Sequence, residues 1–258
     1  MRTFKSPLKN TAYLIYRWMS PFVDPLRFFR AFPGYIAYLR DIRRYSRMDG
    51  AEKIRFADTF PCLHDRTATT GFDRHYFHQD IWAFRKVFAS GAAEHVDVGS
   101  RVDYVGFLSA VTKVTFIDIR PLDVELDNLE SRKGSVLELP YGDRSVHSLS
   151  CLHVAEHVGL GRYGDPLDPE GTRKACRELA RVLAPGGNLY FSLPSGRERL
   201  CFNGHRIHSP ATIVRYFEGL ELREFSCVTD EGKFLANIDI RTVEHDGYAC
   251  GMFHFIRP

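Results

Sequence analysis

The sequence predicts an α/β fold in three layers: a doubly wound, mostly parallel sheet with helices on both faces, one antiparallel strand, and an N-terminal helical extension. Three observations predict it. From residue 95 onward, short β-branched apolar runs alternate with amphipathic segments. Two late segments, 220–228 and 248–256, read as strands joined by a loop around 231–246, one of them antiparallel. The front of the chain differs in composition from the rest, which sets residues 1–56 apart from 57–258.

The 258 residues carry 35 Lys+Arg and 32 Asp+Glu, 44% hydrophobic and 26% charged residues, which excludes a disordered or collagen-like chain. The small net charge of +3 hides an asymmetry: residues 1–56 hold 12 Lys+Arg against 4 Asp+Glu, and the remainder holds 23 against 28. Such a confined basic patch, with no recognisable reading module, argues against nucleic acid as a partner. No apolar stretch reaches the roughly 20 residues of a membrane span. Arg17 interrupts the apolar run 12–16, and no small-residue cleavage site follows, so no signal peptide is expected. The six cysteines are scattered with no C-x-x-C pair, which suits free thiols and a cytoplasmic location.

The extension mixes Tyr13, Tyr16, Trp18, Phe28, Phe29 and Phe32 with Pro21, Pro25 and Pro33. The prolines predict several short helices, and Arg40, Arg43, Arg44 and Arg47 share one basic helical face. This suits an amphipathic cap on the body; the alternative is peripheral contact of residues 1–48 with an anionic membrane, at its inner face. Next, Asp73, His75, His78 and Asp80 invite a metal reading, but they do not share a helical face, and no metal is expected. A helix over 80–90 buries Ile81, Phe84, Val87 and Phe88. Strands are predicted at 95–99, 114–118, 146–151 and 188–193, with a short strand and a turn at Gly134 within 126–137. Helices are predicted at 107–111, from Asp168-Pro169 to the Pro185-Gly186-Gly187 turn with Asp168 as cap, and from Ser209-Pro210 to Gly219.

The chemistry concentrates at strand ends. In an open α/β sheet, ligands lie at the carboxyl ends of the strands. Gly99 follows the first strand and allows close approach of a ligand. Asp118 ends the next strand, 19 residues on, where an acid can accept hydrogen bonds from both ribose hydroxyls. His153, Glu156 and His157 cluster after the fourth strand, and His205 and His208 after the fifth. A histidine or carboxylate there can act as a general base toward a hydroxyl, and His153, His157 and His205 are the candidates. Arg197 and Arg199 near the same rim could meet an anionic acceptor. His153-Val154-Ala155-Glu156-His157 also fits H-x-x-E-H, a zinc-hydrolase pattern, but three glycines follow where that chemistry needs a long helix.

Four segments in order carry a resemblance over residues 90–258: Val96-Asp97-Val98-Gly99-Ser100; Phe116-Ile117-Asp118; Gly134-Ser135-Val136-Leu137-Glu138-Leu139-Pro140-Tyr141-Gly142-Asp143-Arg144-Ser145-Val146-His147; and Ala155-Glu156-His157-Val158 with Arg181-Val182-Leu183-Ala184-Pro185-Gly186-Gly187. The chain resembles the class I S-adenosylmethionine-dependent methyltransferases. Phe60-Pro61-Cys62-Leu63 and Phe72-Asp73-Arg74-His75-Tyr76 further resemble a subfamily known only as a domain of unknown function. The resemblance implies a seven-stranded Rossmann-like sheet and S-adenosylmethionine as cofactor. It implies that Asp97, Gly99 and Ser100 line the methionine portion, Asp118 the ribose, Ile119, Ser135 and Val136 the adenine, and Leu152 and His153 the sulfonium. The acceptor expected is a small molecule or saccharide, such as a hydroxyl of a cell-surface glycan precursor. Two departures stand out: one glycine, not two or three, in the first loop, and Ser135 where the family commonly has Asp. They leave open a non-catalytic docking module.

Overall fold

The computed structural model describes residues 25–55, 59, 61–63 and 66–258. Tyr13, Tyr16, Trp18 and Pro21 lie outside them, as do the side chains of Phe28, Phe29 and Phe32. Contacts group the chain into two compact units, one ending at Phe72 and one running from Asp73 to Pro258. Packing and charge therefore divide the chain at different places. Among its described residues the first unit contains one long helix, α1 (Pro25–Tyr45). It runs through Pro33, contrary to the short helices predicted: a proline costs a helix one hydrogen bond and a clash, not its continuation. Among the described residues no helix is long and apolar enough to cross a membrane.

The second unit opens with α2 (Arg74–Ser90). The Asp73 side chain caps it, accepting from the His75 and Tyr76 backbone N–H groups, so the helix starts six residues earlier than predicted. Its buried face is Gln79, Trp82, Ala83 and Val87; of the predicted stripe only Val87 is fully buried, and Ile81 and Phe88 are exposed. Then follow β1 (Glu94–Val98), α3 (Val102–Leu108), β2 (Lys113–Asp118), β3 (Leu129–Lys133) and β4 (Val146–Leu152). Helix α3 lies earlier than the predicted 107–111 because its buried side chains are Tyr104, Val105 and Leu108. After a short 3-10 turn, Ala155–His157, come α4 (Gly171–Val182), β5 (Leu183–Ser195), the hairpin β6 (Arg199–Cys201) and β7 (His205–Ile207), α5 (Pro210–Tyr216), β8 (Glu221–Val228), β9 (Phe234–Leu235) and β10 (Ala249–Ile256).

Asp168 is not the cap of α4. Its side chain accepts from the Glu170 N–H at 2.9 Å in a turn that precedes the helix. The helix begins at Gly171, where an added Cβ would lie 2.1 Å from the Val158 carbonyl oxygen; only glycine lets this end close on the 3-10 turn. Ser209 does cap α5, as its sequence predicts.

The sheet order is β3-β2-β1-β4-β5-β10-β8-β9. Strands β1 to β5 pair in parallel, and β10 inserts antiparallel between β5 and β8. The seven expected strands are thus present, with one antiparallel; the two-residue β9 adds an eighth at the edge, too short to show any alternation in the sequence. Helices α2 and α3 bury Trp82, Val87, Tyr104 and Leu108 on one face, against Phe116, Tyr190 and Met252. Helices α4 and α5 and the residue after α5 bury Leu179, Ile213 and Phe217 on the other, against Leu149, Phe191 and Phe253. Both faces of β4 are covered, and the buried Ser148 and Ser150 on it are satisfied by hydrogen bonds to His95 and Asp97. The order reverses between β1 and β4, and the crevice at their carboxyl ends is where a ligand can enter.

Candidate active site

A two-lobed cleft occupies that crevice. One lobe, of about 470 Å³, is bounded by Gly99, Asp118, Ile119, Ser135, Val136 and the loop carrying Tyr163. The other, of about 380 Å³, is lined by polar groups: Tyr76, Ser100, Arg101, Glu156, His205 and Tyr248 among them. Gly99, His153, His157 and Tyr163 border both. Volumes of this order suit a nucleoside-sized ligand and a small second substrate.

The floor of the first lobe is the turn after β1. Gly99 has φ +68°, and a Cβ there would sit 3.2 Å from both Val154 methyls and 3.3 Å from Asp118 Oδ2. Ser100, where a further glycine would be expected, holds the turn by hydrogen bonds. Its Oγ donates to Asp97 at 2.6 Å and accepts from the Leu152 N–H at 3.1 Å, tying the turn to β4. Asp97 does not face the cleft, contrary to the role its motif implied. It is fully buried, and Ser100 and Ser150 hydroxyls donate to it. Burial outweighs these bonds and pushes its carboxyl up to about 6. Ser150 in turn takes part in a bond at 2.8 Å with His95, which Ser148 meets at 2.7 Å on the other ring nitrogen. Asp97 thus anchors a buried polar chain beneath the turn.

Asp118 ends β2 with its Oδ1 accepting the Arg120 N–H at 2.7 Å. Its Oδ2 faces Gly99. Ser135 Oγ accepts from the Leu137 N–H at 3.1 Å, so the serine that stands in place of Asp shapes its own turn. The Arg120 guanidinium lies 4.5 Å from the Tyr163 ring centroid, and Arg162 lies 5.1 Å from the same ring, so the loop borders the lobe with stacked cations.

His153 and His157 border both lobes, and Glu156 lies beside them in the second. His153 has φ +55°, a conformation that costs a non-glycine residue on the order of 1–3 kcal/mol and that clusters at functional sites. Its Nδ1 lies 3.2 Å from Ser192 Oγ, and its buried Nε2 has no hydrogen-bond partner among the described residues. Burial lowers it to about 3, so the ring is neutral. Glu156 is fully buried with both carboxyl oxygens unpartnered among the described residues; burial pushes it up to about 8, so it holds its proton at neutral pH. His157 donates from Nδ1 to the Gly204 carbonyl at 2.6 Å, which leaves its Nε2 lone pair 3.6 Å from Glu156 Oε1. The β6–β7 hairpin supplies that carbonyl, and also His205, whose ring stands 5.0 Å from Tyr248.

The structure therefore brings Gly99, Ser100, Asp118, Ile119, Ser135, Val136, Leu152, His153, His157 and His205 to one cleft. His208 and Arg199 border a separate groove with Tyr216, and Arg197 lines neither lobe. The H-x-x-E-H pattern falls on a single 3-10 turn rather than a long helix, and no group of three His, Cys, Asp or Glu among the described residues could hold a metal ion. Sequence reasoning did not select Glu156, although the pattern contained it, nor Tyr76, Arg101, Arg162, Tyr163 or Tyr248. The three aromatics and two arginines carry no spacing that marks them; only the tertiary fold assembles them.

Comparison with known proteins agrees with this architecture. The N-methyltransferase NodS from Bradyrhizobium japonicum WM9, in complex with S-adenosyl-L-homocysteine, superposes with a TM-score of 0.53 at 15% identity, covering 85% of this chain and 97% of that one. A candidate methyltransferase from Bacillus halodurans C-125 gives a TM-score of 0.50 at 17% identity, over 69% and 99% of the two chains. The fold is that of the class I S-adenosylmethionine-dependent methyltransferases. Residues 138–247 also match the family described as Caenorhabditis protein of unknown function, DUF268. No curated protein matches this chain.

Proposed function

We propose that this chain binds S-adenosylmethionine and transfers its methyl group to a hydroxyl of a small molecule, with a saccharide as the best candidate. The observation that carries the reading is Asp118. Its carboxylate closes β2 at the lip of a lobe of about 470 Å³, opposite a glycine whose missing Cβ leaves the space open. The residues fit the cofactor. Asp118 would take the ribose hydroxyls, Ile119, Ser135 and Val136 the adenine, and the turn at Gly99 the methionine portion. When bound, the cofactor supplies a sulfonium methyl that the acceptor oxygen attacks, the carbon–sulfur pair staying on sulfur. The chain then has to orient the acceptor, exclude water and take its hydroxyl proton. His153 Nε2, without a hydrogen-bond partner among the described residues, is a group at the junction able to receive that proton. Glu156 and the tyrosines Tyr76 and Tyr248 offer further hydrogen bonds to an acceptor rich in hydroxyls. A glycan precursor has this character.

Calorimetric titration of the full chain with S-adenosylmethionine tests the reading. Binding is expected, and Asp118→Ala weakens it by about tenfold to a hundredfold, the worth of hydrogen bonds to a charged group. No heat at millimolar cofactor would overturn it.

A second reading concerns the first unit alone, and we propose it for α1. Tyr35, Ile36 and Leu39 are exposed on this helix, and Arg40, Arg43 and Arg44 are exposed beside them. Apolar side chains flanked by cations suit the surface of an anionic membrane.

A further inference from the structure

A neutral imidazole has one donor and one acceptor nitrogen, and which is which is set by the bond the other nitrogen makes. For His153 that assignment can be read from its neighbours. Gln79 is fully buried on α2, and its amide nitrogen donates to Asp80 Oδ1 at 3.0 Å. Its Oε1 therefore faces the core. There it lies 2.6 Å from Ser192 Oγ and 3.8 Å from the thiol of Cys250. Burial pushes the Cys250 thiol well up, so it keeps its proton and is a donor. Two oxygens at 2.6 Å repel unless a proton lies between them, and only the Ser192 hydroxyl can supply it. Having given its one proton to Gln79, Ser192 Oγ can only accept from His153, 3.2 Å away. The proton of the imidazole is then on Nδ1. The backbone repeats the clamp, with the His153 N–H donating to the Ser192 carbonyl at 2.9 Å.

We propose that Gln79 and Ser192 are positioning residues that hold His153 in its Nδ1–H form, so that Nε2 presents a lone pair where the two lobes of the cleft join. That lone pair selects a ligand atom bearing a proton, a hydroxyl or an amine, and rejects a carboxylate. The catalytic consequence rests on the proposed methyl transfer: the acceptor's O–H proton passes to Nε2 as its oxygen bonds to the methyl carbon, and leaves from the imidazolium to solvent with the product. The tautomer itself does not rest on that reading.

The test is nitrogen-15 NMR of the full chain with labelled histidines at neutral pH, the His153 signals being assigned by their loss in His153→Gln. The wild type shows Nδ1 as a protonated nitrogen and Nε2 as a lone-pair nitrogen. Ser192→Ala removes the acceptor for Nδ1–H and gives a mixture of tautomers. Gln79→Leu frees the Ser192 proton to point at Nδ1 and shifts His153 toward the Nε2–H form. A loss of packing alone would not produce that swap. S-adenosylmethionine is titrated into the same samples, with affinity for all three proteins expected within about threefold. An Nε2–H signal in the wild type, or a Gln79→Leu spectrum unchanged from it, overturns the proposal. If Nδ1–H is found but the wild type fails to bind the cofactor, the positioning relay stands and the methyl-transfer reading falls.

Discussion

Glu156 shows how one buried residue couples the site to stability. In the unfolded chain its carboxyl titrates near the ordinary value of 4.5, and in the fold at about 8. Between those values the unfolded chain has released a proton that the fold retains, so this group withdraws stability as pH rises through that window. On the proposed reading the carboxyl sits where an acceptor would bind, and sites commonly trade stability for chemistry. Glu156→Gln removes the titration. Its stability should lie close to that of the wild type at pH 5 and exceed it at pH 9 by on the order of a few kcal/mol. Urea unfolding at the two pH values checks this, and an equal difference at both would contradict it. His153 acts in the opposite direction: lowered to about 3 in the fold, it withdraws stability as pH falls below its ordinary range.

At the scale of elements, the sequence showed the strands better than the helix starts. Strand β10 was legible because a central strand paired on both sides reads as an apolar run. Helix α2 was read too short because its buried face includes Gln79, a polar residue that pays its way through bonds to Ser192 and Asp80 rather than by hydrophobicity. Helix α4 starts at a glycine chosen for close packing, a signal that only the fold reveals. For α1, the exposed Tyr35, Ile36 and Leu39 make a specific prediction. The full chain should sediment with vesicles containing anionic lipid and not with neutral ones, with binding falling as salt rises. Each arginine near such a surface is worth about 1 kcal/mol, so Arg43→Glu with Arg44→Glu should reduce binding more than tenfold. Equal binding to neutral and anionic vesicles would contradict the lipid reading.

Across the whole molecule, the site lies where an open parallel sheet puts it, at the strand tips beside the reversal of strand order. That placement was legible: Gly99, Asp118, Ser135 and His153 are strand-end residues whose spacing follows from the β-α repeat. The second lobe was legible only in part. His157 and His205 could be named, but Tyr76 comes from α2, Tyr248 from the loop before β10 and Arg162 from the loop after the 3-10 turn. Residues so far apart in sequence converge only through packing. Asp97 taught the reverse lesson, since a motif residue expected at the ligand instead supports the turn from below. A crystal of the protein soaked with S-adenosyl-L-homocysteine tests the central claim most directly. The account predicts the nucleoside in the lobe between Gly99 and Val136, with both ribose hydroxyls on the Asp118 carboxylate. Nucleoside bound elsewhere, or a lobe with no density while Asp118 bonds only the Arg120 backbone, would contradict it.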